Sequence, residues 1–247
     1  MSLHNYLLKL QYDGSAYHGY QIQPVAITVQ KVVEDALGAI FDTEMHINGC
    51  SRTDAGVHAF EYACSFFADT PIPAEKIPVV LNNKLPQDIR GLSCCIVADD
   101  FHARFDTVSK TYMYRINCSE LTNVFNRNYE WQLRRKLDYD KMTEACKYFI
   151  GEKDFRSFMT SGADVESTVR TIYDLRIEKN DEDVLVLYIN ANGYLYNMVR
   201  IITGTLVDVG LGRILPEDIV NIIASQNREK AGQTAPPQGL YLYKVIY

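Results

Sequence analysis

The chain has 247 residues, of which 47% are hydrophobic and 23% charged, a composition typical of a globular protein with one large or two small domains. Its net charge of −6 argues against an unselective nucleic-acid coat, although a local basic groove is compatible with it. The six cysteines form no Cys-x-x-Cys pair and the five histidines show no metal spacing, so we expect reduced thiols and no zinc site. The N-terminal residues are too interrupted by polar side chains for a signal peptide or membrane span, which predicts a cytoplasmic location and no membrane partner.

Residues 1–105 are predicted to form a first half with the element order β-α-β-β-α-β. The predicted elements are a strand at Tyr6–Tyr12, a helix capped by Thr28, a short strand at Met45–Asn48, a strand at Val57–Ala68, a helix at Pro73–Leu85 and a strand at Ile89–Val97. In the long strand, alternation predicts one apolar face made of the even positions His58, Phe60, Tyr62, Cys64 and Phe66. This order is that of a ferredoxin-like half.

Residues 106–247 are predicted to repeat that order. The predicted elements are a strand at Ser109–Cys118, a helix at Tyr139–Ile150, strands at Val169–Ile177 and Val184–Asn190 around a hairpin turn at 179–183, a helix from about Leu195 to Val209, a shorter helix after Pro216 and a last strand at Leu240–Ile246. We therefore expect an α+β fold of two tandem ferredoxin-like (βαββαβ) halves whose antiparallel sheets meet at a central cleft, where ligands commonly bind.

One predicted turn carries an acid and a base among small residues. Within Gly49–Phe60, Arg52 and Asp54 stand two positions apart, and Gly56 permits a backbone conformation closed to most side chains. On an extended segment this spacing does not force the two charges to neutralise each other. Two interpretations fit this turn. It is either a functional site where one strand turns into the next, or an ordinary hairpin with a surface arginine and a turn-favouring aspartate.

The second half supplies further candidate residues. Arg200 is the only charge in the middle of a largely apolar helix, so it either faces solvent or pairs with a cleft carboxylate, for which Asp54 is the natural candidate. Tyr112 and Tyr114 share one strand face and either pack in the core or offer a surface on which an extruded base stacks. The stretch Arg104–Arg156, with 11 basic and 8 acidic residues, fits a phosphate-binding face or a solvated helix face.

Five ordered blocks along nearly the whole chain resemble the tRNA pseudouridine synthase A family. The blocks are Tyr12–Gly14 with Tyr17–Gln21 and Gln23; Arg52–Ala59; Phe101–Phe105 with Tyr112–Tyr114; Tyr194–Arg200 with Gly204 and Val209–Gly210; and Ala235–Pro236 with Gly239–Leu242. The chain departs from the family's usual Gly, Trp and His at Ser51, Tyr20 and Asn197 respectively. None of these departures removes a side chain that the reaction of that family needs.

The resemblance implies an isomerase that converts uridine to pseudouridine at positions 38, 39 and 40 in the anticodon stem-loop of tRNA, without a metal or organic cofactor. It makes Asp54 the catalytic nucleophile and Tyr112 the residue that stacks on the target uracil. Arg200 matches the basic residue that pairs with the catalytic carboxylate, Arg52 matches one that contacts RNA as the base leaves the stack, and Leu240 falls among the substrate-binding positions. The family's members are homodimers in which one tRNA bridges both subunits.

The chemistry is consistent with a single carboxylate. Exchanging an N-glycosidic for a C-glycosidic bond suits an ionised acid that attacks the ribose or the uracil ring, shielded from bulk water. Two other classes stay open on the residues alone: a non-catalytic RNA-binding protein, and an acid-based hydrolase. The hydrolase needs a second positioned carboxylate or a metal cluster. The sequence shows neither near the Asp54 turn, and Asp13 is only a weak candidate for the carboxylate.

Overall fold

The computed structural model describes residues 2–121, 123–160, 162, 165–180 and 183–247 and has a mixed α+β fold. The chain divides into two compact units, Met1–Val108 together with Tyr241–Tyr247, and Ser109–Leu240. The division expected between residues 105 and 106 lies close to the first of these boundaries. The C-terminal segment, however, belongs with the first unit rather than with the second.

The elements of the first unit are β1 (His4–Tyr12), α1 (Val29–Phe41), β2 (Asn48–Gly49), β3 (His58–Ala68), α2 (Ile77–Asn82), β4 (Ile89–Val97) and, after the second unit, β10 (Leu240–Ile246). Its sheet has the strand order β4-β1-β3-β10, to which β2 adds by pairing with β3. Strand β1 runs antiparallel to both β3 and β4, and β10 runs parallel to β3. The strands expected at Ile89–Val97 and Leu240–Ile246 are confirmed at both ends.

Helix α1 begins where the sequence places its cap. The side-chain oxygen of Thr28 accepts a hydrogen bond from the Lys31 N–H at 3.4 Å, which satisfies one of the donors at the helix start. Val29, Val33 and Leu37 are fully buried at helical spacing, so the apolar stripe of α1 faces the core of the unit.

The prediction of one apolar face along β3 was wrong at Phe60. The register shifts between Leu10, which pairs with Tyr62, and Tyr12, which pairs with Ala59, so two residues of β3 oppose one residue of β1. Such a bulge reverses the alternation of faces, and period-2 reasoning fails across it. Phe60 is accordingly 47% exposed, and its ring stacks on Tyr241 with centroids 5.1 Å apart.

Two other elements of this unit are shorter than predicted. The strand expected at Met45–Asn48 is reduced to the Asn48–Gly49 pair. The helix expected at Pro73–Leu85 is a 3₁₀ turn at Ala74–Lys76 followed by α2, because Pro78 lacks an N–H and fits only in the first turn of a helix.

The elements of the second unit are β5 (Ser109–Asn117), β6 (Trp131–Gln132), α3 (Tyr139–Cys146), β7 (Gly151–Asp154), β8 (Val169–Lys179), β9 (Val184–Ala191), α4 (Met198–Gly210) and α5 (Asp218–Ser225). Its sheet has the strand order β5-β9-β8-β7 with all pairs antiparallel, and β6 pairs in parallel with β5. Strands β6 and β7 are absent from the sequence prediction. Of the hairpin turn predicted at 179–183, Asp181 and Glu182 lie outside the described residues.

Helices α3 and α4 are present but have different bounds from those predicted. Helix α3 gives way at its end to a 3₁₀ turn at Lys147–Phe149, before Gly151 takes a φ of 97°. Helix α4 begins at Met198 rather than Leu195, because Asn197 adopts the left-handed conformation with φ 60°. None of the helices in the described part of the chain has the length and apolarity that a membrane span requires.

Candidate active site

The predicted Arg52–Asp54 turn joins β2 to the start of β3 in the first unit. The Val57 N–H donates to the Asp54 carbonyl at 3.1 Å, and Gly56 adopts a positive φ of 77° between them. Asp54 is half-buried, whereas Arg52 is exposed. The turn thus presents its acid at the edge of the protein interior and its base to solvent.

The segment Tyr17–Tyr20 holds the backbone on both sides of Asp54. On one side, the Tyr20 N–H donates to the Thr53 carbonyl at 3.0 Å, and on the other the Gly56 N–H donates to the Tyr17 carbonyl at 3.3 Å. The hydroxyl groups of Tyr12 and Thr53 share a further hydrogen bond of 2.8 Å. Two of the blocks noted in the sequence therefore form one hydrogen-bonded assembly, which fixes the position of Asp54.

Two glycines make this close packing possible. A Cβ atom at Gly14 would lie 2.0 Å from the Val57 carbonyl oxygen, and one at Gly19 would lie 2.6 Å from the Thr53 carbonyl oxygen. Gly19 also adopts a φ of 86°, which side chains disfavour. Both glycines are required because another segment of backbone passes where a side chain would begin.

A buried tyrosine supports the turn from below. Tyr62 is fully buried, its ring stacks on Tyr20 with centroids 4.3 Å apart, and its hydroxyl group donates to the Ser51 carbonyl. Burial raises the pKa of Tyr62 well above its ordinary value, so the phenol keeps the proton that it donates. Ser51, one of the three residues that depart from the family pattern, thus enters the turn with its carbonyl group anchored.

The imidazole of His58 fixes the beginning of β3 directly after the turn. His58 is buried, and its Nδ1 lies 3.1 Å from the Gly14 nitrogen and 3.1 Å from Asp13 Oδ1. The same Asp13 oxygen accepts the Ser15 N–H at 2.9 Å. Asp13, the one candidate for a second catalytic carboxylate, is therefore engaged in holding this segment.

In the second unit, Arg200 is anchored through its side chain and its backbone. Its Nε donates to the Ala235 carbonyl at 2.7 Å and its Nη1 donates to Asn197 Oδ1 at 2.8 Å, while the Ala235 N–H returns to the Arg200 carbonyl at 3.0 Å. Asn197 is itself held, because its Nδ2 donates to the Thr160 hydroxyl at 2.8 Å. These bonds set the plane and direction of a half-buried guanidinium group.

Tyr114 connects β5 to the same loop. Its hydroxyl group donates to the Pro236 carbonyl at 2.6 Å, and a Cβ atom on Gly239 would lie 2.6 Å from its ring. Burial raises the pKa of Tyr114 above its ordinary value, against the opposing effect of the Arg200 charge. The tyrosine is a structural partner of the Arg200 loop, a role that the sequence did not reveal.

Tyr112 lies two residues earlier on β5 and is 6% exposed. Its ring meets that of Tyr194 edge to face, with centroids 4.9 Å apart. The Tyr194 hydroxyl group lies 2.8 Å from the carbonyl oxygens of Lys110 and Ile189, which holds that ring in place. Tyr112 is thus a positioned aromatic side chain.

Within each unit, the structure brings some of the expected residues together. Arg52 and Asp54 share one turn in the first unit. In the second unit, Arg200 lies with Tyr114, Asn197 and the 235–236 loop, and Leu240 follows that loop as a buried residue at the start of β10. Among the described residues, no group of three or more His, Cys, Asp or Glu side chains could hold a metal ion.

Comparisons with known proteins identify relatives of this chain. A family model described as tRNA pseudouridine synthase matches residues 10–106 and 145–247. The chain is 47% identical to tRNA pseudouridine synthase A of Thermoanaerobacter sp. (strain X514), covering 99% of this chain and 100% of that protein. It is 46% identical to tRNA pseudouridine synthase A of Clostridium acetobutylicum, covering 98% of this chain and 99% of the relative.

A solved structure described as a Cbf5-Nop10-Gar1 complex matches with a TM-score of 0.40 and 12% identity. That match covers 96% of this chain and 48% of the other.

Proposed function

The chain belongs to the tRNA pseudouridine synthase family, and on that premise we propose that it isomerises uridine to pseudouridine at positions 38, 39 and 40 in the anticodon stem-loop of tRNA. The observation that carries the proposal is the 47% identity over the full length of a tRNA pseudouridine synthase A. The hydrogen-bonded assembly around Asp54 supports it, because a reacting carboxylate needs a fixed position.

Asp54 is the proposed nucleophile. The reaction breaks the bond between uracil N1 and ribose C1′ and forms one between C5 and C1′; N1 takes up a proton and C5 loses one, so that the product is an isomer of the substrate. Attack on the ribose carbon or on the uracil ring both use an ionised carboxylate held in a partly shielded position. The half-buried Asp54, with the backbone on both sides held by Tyr17 and Tyr20, meets that requirement.

The residues of the second unit take the remaining roles in this proposal. Arg200 pairs with the catalytic carboxylate, and its bonds to Ala235 and Asn197 support this role by fixing the guanidinium group in advance. Tyr112 stacks on the target uracil, while Leu240 lies among the substrate contacts. Arg52, exposed in the catalytic turn, contacts RNA as the base leaves the stack.

We propose that each unit is a ferredoxin-like half, the first carrying the catalytic turn and the second the stacking tyrosine and the arginine. In the first unit, β1 between β3 and β4, with β2 on the far side of β3, is the pairing expected of a split βαβ unit. The β5-β9-β8 order of the second unit supports the same reading.

The proposed partners follow from the substrate. The protein binds tRNA as a homodimer in the cytoplasm and uses no organic cofactor. Phosphate contacts supply binding, and the excess of basic residues in Arg104–Arg156 supports a local face for them within a chain of net charge −6.

Chemical mapping of pseudouridine in an unmodified tRNA transcript tests the proposed function. We expect product at uridines 38, 39 and 40 after incubation with the purified protein, and none in a matched transcript with cytidine at those positions. Product at other positions only would contradict the proposed site, and tRNA binding without product would favour a non-catalytic RNA-binding protein.

A further inference from the structure

The segment Ile22–Ile27 in the first unit exposes an unusual concentration of apolar surface. Gln23 and Ala26 form an isolated antiparallel bridge, with Pro24 and Val25 at the tip between them. Val25 is 99% exposed, Ile27 64% and Ile22 42%. A single exposed valine is ordinary in a soluble protein, but three β-branched side chains and a proline within six residues form a patch. We refer to Ile22–Ile27 as the apolar hairpin.

Hydrogen bonds attach the apolar hairpin to the segment that holds the catalytic turn. The His18 N–H donates to the Ile27 carbonyl at 2.9 Å, and the Gln23 side chain donates to the His18 carbonyl at 2.8 Å. The Ile22 N–H donates to Gln30 Oε1 at 3.2 Å, which ties the hairpin to helix α1 as well. The base of the hairpin is therefore fixed at His18.

The same short segment bonds to both sides of Asp54. Tyr17 and Tyr20, which lie next to His18 and Gly19, hold the backbone at Gly56 and Thr53. Val25 is two residues beyond the hairpin base at Ile27, a span of at most about 7 Å. The hairpin and the Asp54 turn are therefore both hydrogen-bonded to one short segment of the first unit, Tyr17–Tyr20.

We propose that the apolar hairpin is a wedge that contacts the bases flanking the target uridine and helps to expel that uridine from the helix. This inference rests on the proposed function, because it requires a base-paired RNA substrate at Asp54. Apolar side chains inserted between base steps unstack them and so offset part of the cost of opening a pair. An anchored hairpin base suits this role because less conformational freedom of the loop is lost on binding.

The test compares Val25→Ser with Val79→Ser, a matched change at a 60% exposed valine on α2 in the same unit. Each variant and the unchanged protein act on two full-length tRNA transcripts, one with the target uridine 39 paired with adenine and one with it opposite a mismatched cytosine. We expect Val25→Ser to lower kcat/KM about 10-fold on the paired transcript and less than about 3-fold on the mismatched one, because the mismatch already opens the pair. Val79→Ser should match the unchanged protein on both.

Three results would overturn the wedge: a loss below about 3-fold for Val25→Ser on the paired transcript, an equal loss on both transcripts, or an equal loss in Val79→Ser. The failure of the proposed function looks different. In that case the unchanged protein forms no pseudouridine in either transcript, which removes the wedge and its premise together.

Discussion

The backbone of the Asp54 turn lies against the backbone of Tyr17–Tyr20, and Gly19 is the residue that permits this contact. Replacing Gly19 with Ala places a Cβ atom 2.6 Å from the Thr53 carbonyl oxygen at a φ of 86°. We expect Gly19→Ala to lower the free energy of unfolding by roughly 1–3 kcal/mol and to lower kcat, since Thr53 must move and Asp54 moves with it. Urea unfolding and steady-state kinetics measure the two effects.

Gly212→Ala is the matched control for Gly19. Gly212 has a φ of 72°, but a Cβ atom there would meet nothing within 4 Å. Gly212→Ala therefore adds only the strain of a left-handed backbone, with no clash. It should lower the free energy of unfolding by about 1 kcal/mol and keep full activity. Equal effects of the two substitutions on both stability and activity would show that the contact with Thr53 has no consequence.

Tyr112 is predicted to act through its ring rather than its hydroxyl group. We expect Tyr112→Phe to retain most of kcat/KM for tRNA, whereas Tyr112→Leu loses about 10-fold or more, because stacking of one base on an aromatic ring contributes about 1–3 kcal/mol. The edge-to-face contact with Tyr194 remains available to Phe at this position. Similar activities of the Phe and Leu variants would remove the stacking role.

At the scale of the element, the last residue of helix α3 is the buried Cys146, whose thiol makes the stability of the fold depend on alkaline pH. Cys146 is 2% exposed, and burial, together with the charge of Asp174, raises the pKa of its thiol to about 12 from 9.0. This thiol ionises at a lower pH in the unfolded chain than in the folded protein. Its burial therefore stabilises the folded state fully below about pH 9, and this stabilisation is lost as the pH rises towards 12.

We therefore expect the unfolding free energy of the unchanged protein to fall more steeply above pH 9 than that of Cys146→Ala, with a difference approaching about 1.4 kcal/mol per pH unit. Urea titrations under reducing conditions at several pH values between 8 and 11 measure this. Cys95→Ala, at an exposed cysteine, serves as the control and should follow the unchanged protein. Parallel pH profiles for Cys146→Ala and Cys95→Ala would contradict the assignment.

Elements whose signal is local were predicted well. Helix α1 with its Thr28 cap, strand β4 and strand β10 depend on nearby side chains and turns, and they appear where expected. The start of α4 was misplaced, because the left-handed Asn197 leaves no pattern of apolar residues in the sequence. Its side chain bonds Arg200, three residues later, and Thr160, a partner that only the folded chain brings close.

The exposed Phe60 shows a second limit of sequence reasoning. Whether a residue on a strand faces the core depends on the register with the partner strand, and the extra residue of β3 opposite the Leu10–Tyr12 stretch of β1 becomes evident only from that pairing. Period-2 alternation along β3 alone therefore assigns Phe60 to the face of Tyr62. The stacking of Phe60 on Tyr241 involves a residue that is distant in sequence, so it was equally invisible.

At the scale of the whole molecule, the candidate site was predictable to the extent that its parts are contiguous in the chain. Arg52, Asp54 and Gly56 lie in one short segment, so their types and spacing indicated a site from the sequence. The support from Tyr17, Tyr20 and Tyr62 and the anchoring of Arg200 by Ala235 depend on tertiary hydrogen bonds. The proposed catalytic residue is thus encoded locally, whereas its position depends on contacts with residues distant in sequence.

The central claim is that Asp54 performs the chemistry while other groups bind the tRNA, and single-turnover conversion with enzyme in excess tests it most directly. The measurement compares pseudouridine formed per tRNA by Asp54→Asn and by Asp100→Asn, an exposed acid in the same unit, alongside filter binding of the same tRNA. We predict that Asp54→Asn forms no product while its Kd stays within about 3-fold of the unchanged protein, because phosphate contacts carry affinity, and that Asp100→Asn is fully active. Conversion by Asp54→Asn at the rate of the unchanged protein would contradict the account.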